Sequence, residues 1–408
     1  MRSLPALLLI VLTLLVSTSA RAAEAGEDLS ISLLTMGPGE HPFTKFGHNA
    51  IWVHDARTER DEIYNYGTFA FDSPTALLDS VQGKLPYWLS VQSLSGTLLT
   101  YQDQGRSLLA SELELTPAQR AELHAALREN ARPEHRYYRY DYYRDNCATR
   151  VRDVIDRTLG GQLEKQWQKP ASMSYRAHTL RLVADDPLLD AGLDLAIGRQ
   201  TDSAVTLWDE GWLPERLHDL LASARIERGG REFPLIRSEH LLLDSRLPKP
   251  RATPPNWTVR YGLVGVGLGV ALLLVGFLAR NQRAWRSVLA IALIVIGVPL
   301  GLLGSALCYL TFFSFHSAAA DNYNVLLLPP WLLGLGVAAV GMLRGKAWGF
   351  RVATWATTGA ALTTDLALVL RLVTSHPQAN AQELMVALPL WLSATLAVFL
   401  ARPAAGQH

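Results

Sequence analysis

The hydrophobic residues of this 408-residue chain are concentrated in its C-terminal half, whereas the N-terminal half is polar. From residue 261 onward, five apolar segments are each about as long as a helix needs to cross the hydrocarbon core of a bilayer. They cover residues 261–279, 288–313, 325–343, 352–373 and 384–401. This pattern predicts five transmembrane helices over 261–401, followed by a short tail at 402–408.

The charges between these segments predict their orientation. The loops at 314–324 and 374–383 contain no Lys or Arg. Basic residues follow the other spans: Arg280, Arg283 and Arg286 after the first, Arg344, Lys346 and Arg351 after the third, and Arg402 after the fifth. Because cytoplasmic loops carry the excess of Lys and Arg, we expect the first span to begin outside the cytoplasm and the C-terminus to be cytoplasmic.

The N-terminus has the features of a secretory signal peptide. Arg2 supplies the positive charge, Leu7 to Val16 form a short apolar core, and Ala20 and Ala22 supply small residues for cleavage. We therefore expect residues 1–22 to be removed and residues 23–250 to form an exported domain. A proline-rich linker at 251–260 would join this domain to the bilayer.

Within the exported domain, alternating apolar positions predict strands at 31–36, 49–54, 62–69 and 108–115. Thr116 and Pro117 are typical of a helix start, which predicts a helix to about Asn130. A second helix is predicted from Cys147 to about Leu159, and the segment from Ser172 to Ala222 is mostly helical in pattern. The fold class is thus α+β, followed by an all-α membrane bundle.

Composition narrows the chemistry. The formal net charge is +1 and no basic stripe is present, so we expect no nucleic-acid partner. No ligand spacing indicates a metal, and no glycine-rich loop indicates a phosphate cradle, so we expect no cofactor. The only two cysteines are Cys147 and Cys308, and Cys308 lies in an apolar segment, which leaves Cys147 without an obvious disulfide partner.

Cys147 has two interpretations. It can be a buried structural residue, which is common for a single cysteine. It can also be a nucleophile, because the N-terminus of a helix favours the thiolate. A nucleophilic thiol needs a base and an orienting group. His48 at the start of a strand is the leading base, and Asn65 on the next strand could orient it.

Alternatives remain open at this point. His41, His54 and His124 are also available, and Asn65 could simply close a hairpin. The backbone N–H of Cys147 could stabilise an oxyanion, with help from the hydroxyl of Tyr142 or Tyr143. Arg150 could hold an anionic phosphate or belong to a solvated helix face.

The order of these residues resembles a circularly permuted papain-like (NlpC-like) fold, in which histidine precedes cysteine. More closely, the chain resembles the Lnb-type family of bacterial lipoprotein N-acyltransferases over most of residues 28–245. The segments that carry this resemblance are Phe46-Gly47-His48, Tyr64-Asn65-Tyr66-Gly67, Gly83-Lys84-Leu85-Pro86-Tyr87, Asp145-Asn146-Cys147-Ala148-Thr149-Arg150 and Asp194-Leu195-Ala196-Ile197-Gly198.

The resemblance implies that Cys147 and His48 are catalytic, with Asn65 placed third by topology. It also implies a multi-pass protein of the bacterial inner membrane whose N-terminal domain is periplasmic. His316, Asn322 and Asn324 resemble a His…Asn-x-Asn element of related proteins, which could bind a lipid head group or form an ordinary loop.

We therefore expect a membrane-bound acyltransferase. Cys147 would take an acyl chain from a phospholipid as a thioester and pass it to the N-terminal amine of a diacylglyceryl-cysteine lipoprotein. The alternatives are a cysteine peptidase or amidase acting on cell-wall peptide, and a non-catalytic envelope assembly module.

Overall fold

The computed structural model describes residues 24–403. It shows an N-terminal domain built on an antiparallel sheet, followed by a C-terminal region of five long apolar segments, so the predicted α+β class with a membrane bundle is confirmed. The predicted signal peptide at 1–22 and residues 404–408 of the predicted tail lie outside the described residues.

The main sheet of the N-terminal domain has seven antiparallel strands in the order β6-β4-β3-β2-β1-β5-β9. Strands β7 and β8 form a separate hairpin. The strands are β1 (Leu29–Met36), β2 (His48–Asp55), β3 (Arg60–Thr68), β4 (Pro86–Gln92), β5 (Leu108–Leu113), β6 (Tyr137–Arg139), β7 (Arg225–Arg228), β8 (Arg231–Pro234) and β9 (Ile236–Leu243).

Between residue 24 and the first membrane helix, the structure contains nine α-helices. They are α1 (Ala76–Gln82), α2 (Leu94–Asp103), α3 (Pro117–Asn130), α4 (Cys147–Thr158), α5 (Gln162–Gln166), α6 (Tyr175–Val183), α7 (Pro187–Ala196), α8 (Leu207–Glu210) and α9 (Pro214–Ser223). The start of α3 is fixed by a capping box, in which the Thr116 side chain bonds the N–H of Gln119 and the Gln119 side chain bonds the N–H of Thr116.

The two faces of the sheet bury different clusters, because successive side chains of a strand point to opposite sides. Ile51 and Val53 of β2 pack on one face against Val151 and Ile155 of α4. Ala50, between Ile51 and Asn49 in sequence, packs on the other face in a smaller cluster near α2. The central strands β2 and β3 are therefore covered on both sides.

The C-terminal region contains helices α10 (Thr258–Ala279), α11 (Arg283–Phe312), α12 (Gly334–Leu343), α13 (Ala347–Val373) and α14 (Ala381–Leu400). Four of the predicted spans match single helices within a few residues. The third, predicted over 325–343, is instead assembled from the 3₁₀ turns Tyr323–Leu326 and Pro330–Leu333 followed by α12. Pro329 and Pro330 explain the break, because neither can donate a backbone hydrogen bond.

Candidate functional site

Cys147 is the first residue of α4. Asn146 caps this helix: its side-chain oxygen accepts hydrogen bonds from the backbone N–H groups of Ala148 and Thr149, both at 2.9 Å. The Asn146 amide in turn donates to the carbonyls of Tyr142 and Trp212. This cap leaves the N–H of Cys147 unused by the capping side chain and holds the thiol at the positive end of the helix dipole.

His48 and Asn65 lie at the same end of the sheet. His48 begins β2, and its Nε2 is 3.3 Å from Oδ1 of Asn65 on β3. The Asn65 amide nitrogen donates to the carbonyl of Ile63, which fixes the orientation of the amide and presents the oxygen to the histidine. An amide oxygen only accepts, so Nε2 carries a proton and Nδ1 is the nitrogen left to act as a base.

The electrostatic surroundings favour the thiolate of Cys147. Burial alone would raise the pKa of the thiol. The charge of His48 and hydrogen bonds to His48, to the backbone N–H of Asn49 and to the Tyr140 hydroxyl outweigh burial, so the pKa lies below the ordinary value for cysteine. Cys147 is 6% exposed, so the thiol lies in a sheltered position.

Two glycines allow these elements to approach closely. Gly67 has a φ of 87°, and a Cβ at this position would lie 3.1 Å from the Tyr140 ring and 3.6 Å from Cβ of Cys147. Gly47 has a φ of 77°, and a Cβ there would lie 2.8 Å from the carbonyl oxygen of Met36. Larger residues would therefore push apart the strands that present His48 and Asn65 to the helix.

These side chains line one cavity of about 770 Å³. Cys147, His48 and Asn65 contribute polar atoms, while most of the wall is apolar. The apolar part continues along α7 through Leu189 and Leu193 and reaches Leu310 on the membrane helix α11. Ala318 and Ala319, in the loop after α11, complete that side. The thiol thus shares a hydrophobic cavity with residues of the membrane region.

Tyr140 also lines the cavity, whereas the sequence points to Tyr142 and Tyr143 for a hydroxyl contribution. Tyr143 is buried, and its hydroxyl is paired with the Thr179 hydroxyl at 2.9 Å. Tyr142 is partly exposed and stacks on His316. The alternation Tyr138-x-Tyr140 ahead of the cysteine was the available signal, because alternate residues of an extended segment point the same way.

Arg150 does not line the cavity. Its guanidinium forms two hydrogen bonds with the carboxylate of Asp145, at 2.6 and 2.8 Å, and lies 3.6 Å from the centroid of the Tyr138 ring. The structure therefore brings Cys147, His48 and Asn65 together and places Arg150 in a neighbouring ion pair.

The other three residues of the sequence hypothesis belong to the contact between the two regions. His316 lies at the cavity edge, and its Nε2 is 2.9 Å from the carbonyl oxygen of Ser80. Asn322 donates to the carbonyls of Leu195 and Ala196, at 2.7 and 3.0 Å. Asn324 donates to the carbonyls of Asp194 and Leu195. Both asparagines are buried and bind the end of α7 to the membrane region.

A buried ion cluster supports this contact from the domain side. Arg176 of α6 is 3% exposed and contacts the carboxylates of Asp194 and Asp202, each at 2.7 Å. It also donates to the carbonyl of Ile197, just after α7. Asp202 accepts a hydrogen bond from the backbone N–H of Ala379, next to α14. Helix α7, which forms part of the cavity wall, is therefore fixed by Arg176 within the domain and by the asparagines of the membrane region.

Within residues 24–403, no group of three or more His, Cys, Asp or Glu side chains could hold a metal ion. The fold and the site define a membrane-anchored α+β domain in which a cysteine, a histidine and an asparagine meet in one apolar cavity.

Comparison with known proteins agrees with this class. Residues 18–186 match the family described as the Lnb N-terminal periplasmic domain, which supports the predicted resemblance to the Lnb-type family over this part of the chain. A periplasmic domain followed by five apolar helices fits a multi-pass inner-membrane protein. No curated protein and no solved structure matches the chain.

Proposed function

We propose that the protein is a cysteine-dependent acyltransferase that forms a thioester on Cys147 and passes the acyl chain to the N-terminal amine of a diacylglyceryl-cysteine lipoprotein. One observation carries the proposal. The cavity that contains the thiol has an apolar wall that extends to Leu310 on a membrane helix. A peptide-cleaving site has no need of such a wall, whereas an acyl chain does.

The first half of the reaction uses the geometry at Cys147. The thiolate attacks the carbonyl carbon of a phospholipid acyl ester, and the developing oxyanion is stabilised by the N–H of Cys147 at the helix start and by the Tyr140 hydroxyl. When the C–O bond breaks, the imidazolium of His48 protonates the departing glycerol oxygen. The products are a thioester on Cys147 and a lysophospholipid.

The second half reverses the proton flow. The lipoprotein amine attacks the thioester carbonyl, His48 accepts a proton from the amine, and the C–S bond breaks. The chain ends in an amide and Cys147 returns to the thiolate. Asn65 acts as a positioning residue throughout, because it holds the proton on Nε2 and leaves Nδ1 for the exchange.

The proposal includes three finer features from the sequence analysis. The domain is a permuted papain-like fold, its boundaries are 23–250 with a linker at 251–260, and the C-terminus is cytoplasmic. The antiparallel sheet with His48 at a strand start and Cys147 at a helix start supports the first of these. The absence of Lys and Arg from the loop at 314–324 supports the orientation.

Mass spectrometry of a lipoprotein N-terminus tests the proposal in cells that depend on this enzyme. We expect Cys147→Ala to abolish N-acylation and Cys308→Ala, which removes the other thiol, to retain it. Intact N-acylation with Cys147→Ala would refute the proposal. Release of cell-wall peptides by the purified full-length protein, with no acyl-enzyme detected, would favour the peptidase or amidase instead.

A further inference from the structure

Arg106 is a buried cation in the cavity wall that the proposed reaction does not use. It lies between α2 and β5, it is 3% exposed, and it lines the same cavity as Cys147. The sequence pattern alone does not identify Arg106 as a functional residue, because it follows an ordinary Gln104-Gly105 turn.

The partners of Arg106 are all neutral. Its Nε donates to the carbonyl of Gly37 at 2.7 Å, and Nη1 donates to Oε1 of Gln104 at 3.0 Å. The guanidinium carbon is 4.7 Å from the centroid of the Tyr101 ring. Among residues 24–403, no carboxylate lies within 4.0 Å of Arg106 and its Nη2 has no hydrogen-bond partner.

A buried guanidinium without a counter-ion is unfavourable, and each unsatisfied donor adds to the cost. Burial lowers the pKa of Arg106, while the phenol of Tyr101 and the thiolate of Cys147 act in the opposite direction. Arginine nevertheless stays protonated in proteins. The fold thus maintains a positive charge in the cavity wall, with one buried donor that has no partner among residues 24–403, and an anionic ligand in the cavity would compensate the charge.

Polar and apolar residues that line the cavity lie on different elements. Thr100 on α2 and Gln104 just after it line the wall beside Arg106, whereas Leu193 and Leu310 line the wall toward the membrane region. A glycerophospholipid has the same polarity, with a phosphodiester separated by a few bonds from each acyl ester. The planar fork of arginine matches the oxygens of a phosphate.

We propose that Arg106 binds the phosphodiester of the phospholipid whose acyl chain is transferred to Cys147. This inference rests on the proposed acyl transfer from phospholipid and identifies the residue that would bind the phosphate of the donor. Binding at Arg106 would place the ester carbonyl beside the thiolate and the chain along the wall of α7.

The test compares two donors with identical acyl chains on the full-length protein in detergent micelles. One donor is phosphatidylglycerol or phosphatidylethanolamine, and the other is diacylglycerol, which has the same esters and no phosphate. The rate of Cys147 acylation is followed by intact-protein mass spectrometry for wild type, Arg106→Gln, Arg106→Lys and, as a control, Arg157→Gln, which changes an exposed arginine near the end of α4.

We expect Arg106→Gln to slow acylation from either phospholipid by about 10- to 100-fold, the effect of one charge-assisted hydrogen bond, and to leave diacylglycerol nearly unchanged. Arg106→Lys should retain part of the preference for phospholipid over diacylglycerol, and Arg157→Gln should retain all of this preference. The ratio of the two rates is measured in one preparation, so it does not depend on how much of a variant is folded.

An equal decrease in the rate of Cys147 acylation with both donors would overturn the inference. It would indicate that Arg106 stabilises the thiolate instead. A wild-type protein that uses diacylglycerol as fast as phospholipid would also overturn it, while acyl transfer itself would stand. A wild-type Cys147 that is acylated by neither donor would refute the proposed function as well.

Discussion

The Nε2 atom of His48 lies 3.3 Å from the Oδ1 atom of Asn65, and the two residues belong to neighbouring strands. This contact places a proton on Nε2, and in the proposed mechanism it leaves Nδ1 as the base. The proposed role of the histidine therefore depends on the amide that orients it.

Loss of the amide oxygen should slow thioester formation without removing the base. We expect Asn65→Ala to reduce the rate of Cys147 acylation by about 10- to 100-fold, because a fraction of His48 would adopt the wrong tautomer or rotate away. Intact-protein mass spectrometry of samples quenched at successive times measures the rate for the full-length protein. Asn130→Ala, which removes an amide bonded to the Tyr66 hydroxyl outside the cavity lining, is the control. Equal rates for Asn65→Ala and wild type would contradict the positioning role.

Cys147 should react with iodoacetamide at a pH where an ordinary cysteine is mostly protonated. Its pKa is lowered, so the thiolate persists as the pH falls below about 8.5, the usual value of a free cysteine. The midpoint of the pH–alkylation profile should move upward in His48→Ala and in Tyr140→Phe, because each change removes a group that stabilises the thiolate.

The two variants differ in a second measurement. Tyr140→Phe keeps the base, so it should retain acyl transfer at a reduced rate, whereas His48→Ala should lose it. An unchanged alkylation profile in both variants would show that neither group contributes to the ionisation of Cys147.

A larger side chain in the apolar wall of the cavity should exclude long acyl chains. Leu310→Trp enlarges a side chain that lines the cavity, so acylation of Cys147 from a long-chain donor should fall by about 10-fold or more, while a short-chain ester should still react. Leu302→Trp makes the same change at a side chain of α11 that is 60% exposed, and it should leave both donors unaffected. If Leu310→Trp lowered the acylation rate equally for long and short acyl chains, this would argue against binding of the acyl chain at this part of the wall.

The buried ion cluster should be the most sensitive point of the domain contact. Arg176→Met leaves Asp194 and Asp202 without their cation, and breaking a buried pair costs about 3–5 kcal/mol. Thermal unfolding in detergent should show a clear decrease in Tm. Arg132→Met is the matched control, because Arg132 and Glu129 are both more than 40% exposed and surface pairs contribute about 0–1 kcal/mol.

Asn322 and Asn324 should matter for lipid access more than for the thiol itself. Replacing both with alanine removes four hydrogen bonds to α7 and leaves buried carbonyls unsatisfied. We expect acylation of Cys147 from phospholipid to fall, while alkylation by iodoacetamide stays near the wild-type rate. Parallel losses of both reactions would show instead that the double variant disturbs the site directly.

The sequence predicted the parts of the fold that depend on local patterns. Strands β1, β2, β3 and β5, helix α3 and the start of α4 at Cys147 lie within a few residues of their predicted positions. Apolar periodicity and a capping threonine determine such elements, so no knowledge of distant contacts is needed.

The elements that were missed depend on tertiary contacts. Strand β6 is three residues long and exists because it pairs with β4, and β9 pairs with β5 across more than 120 residues of sequence. Arg106 was missed for the same reason. Its burial becomes visible only when the carbonyl of Gly37 and the ring of Tyr101 are brought around it.

The asparagine pair of the membrane loop shows the limit of motif reasoning. The sequence leaves a lipid head-group site and an ordinary loop open for Asn322 and Asn324, and in the structure both amides donate to carbonyls of α7. Their polarity is explained by docking between the two regions.

Docking through α7 has a consequence for the proposed reaction. The carbonyls at the end of α7 accept hydrogen bonds from Asn322 and Asn324, which lie in a loop of the membrane region. The domain that contains the thiol is therefore fixed to the membrane region. The structure therefore fixes the distance between Cys147 and the membrane helices. In the proposed acyl transfer, a substrate must present its ester carbonyl at that distance, which limits the lipids that can react.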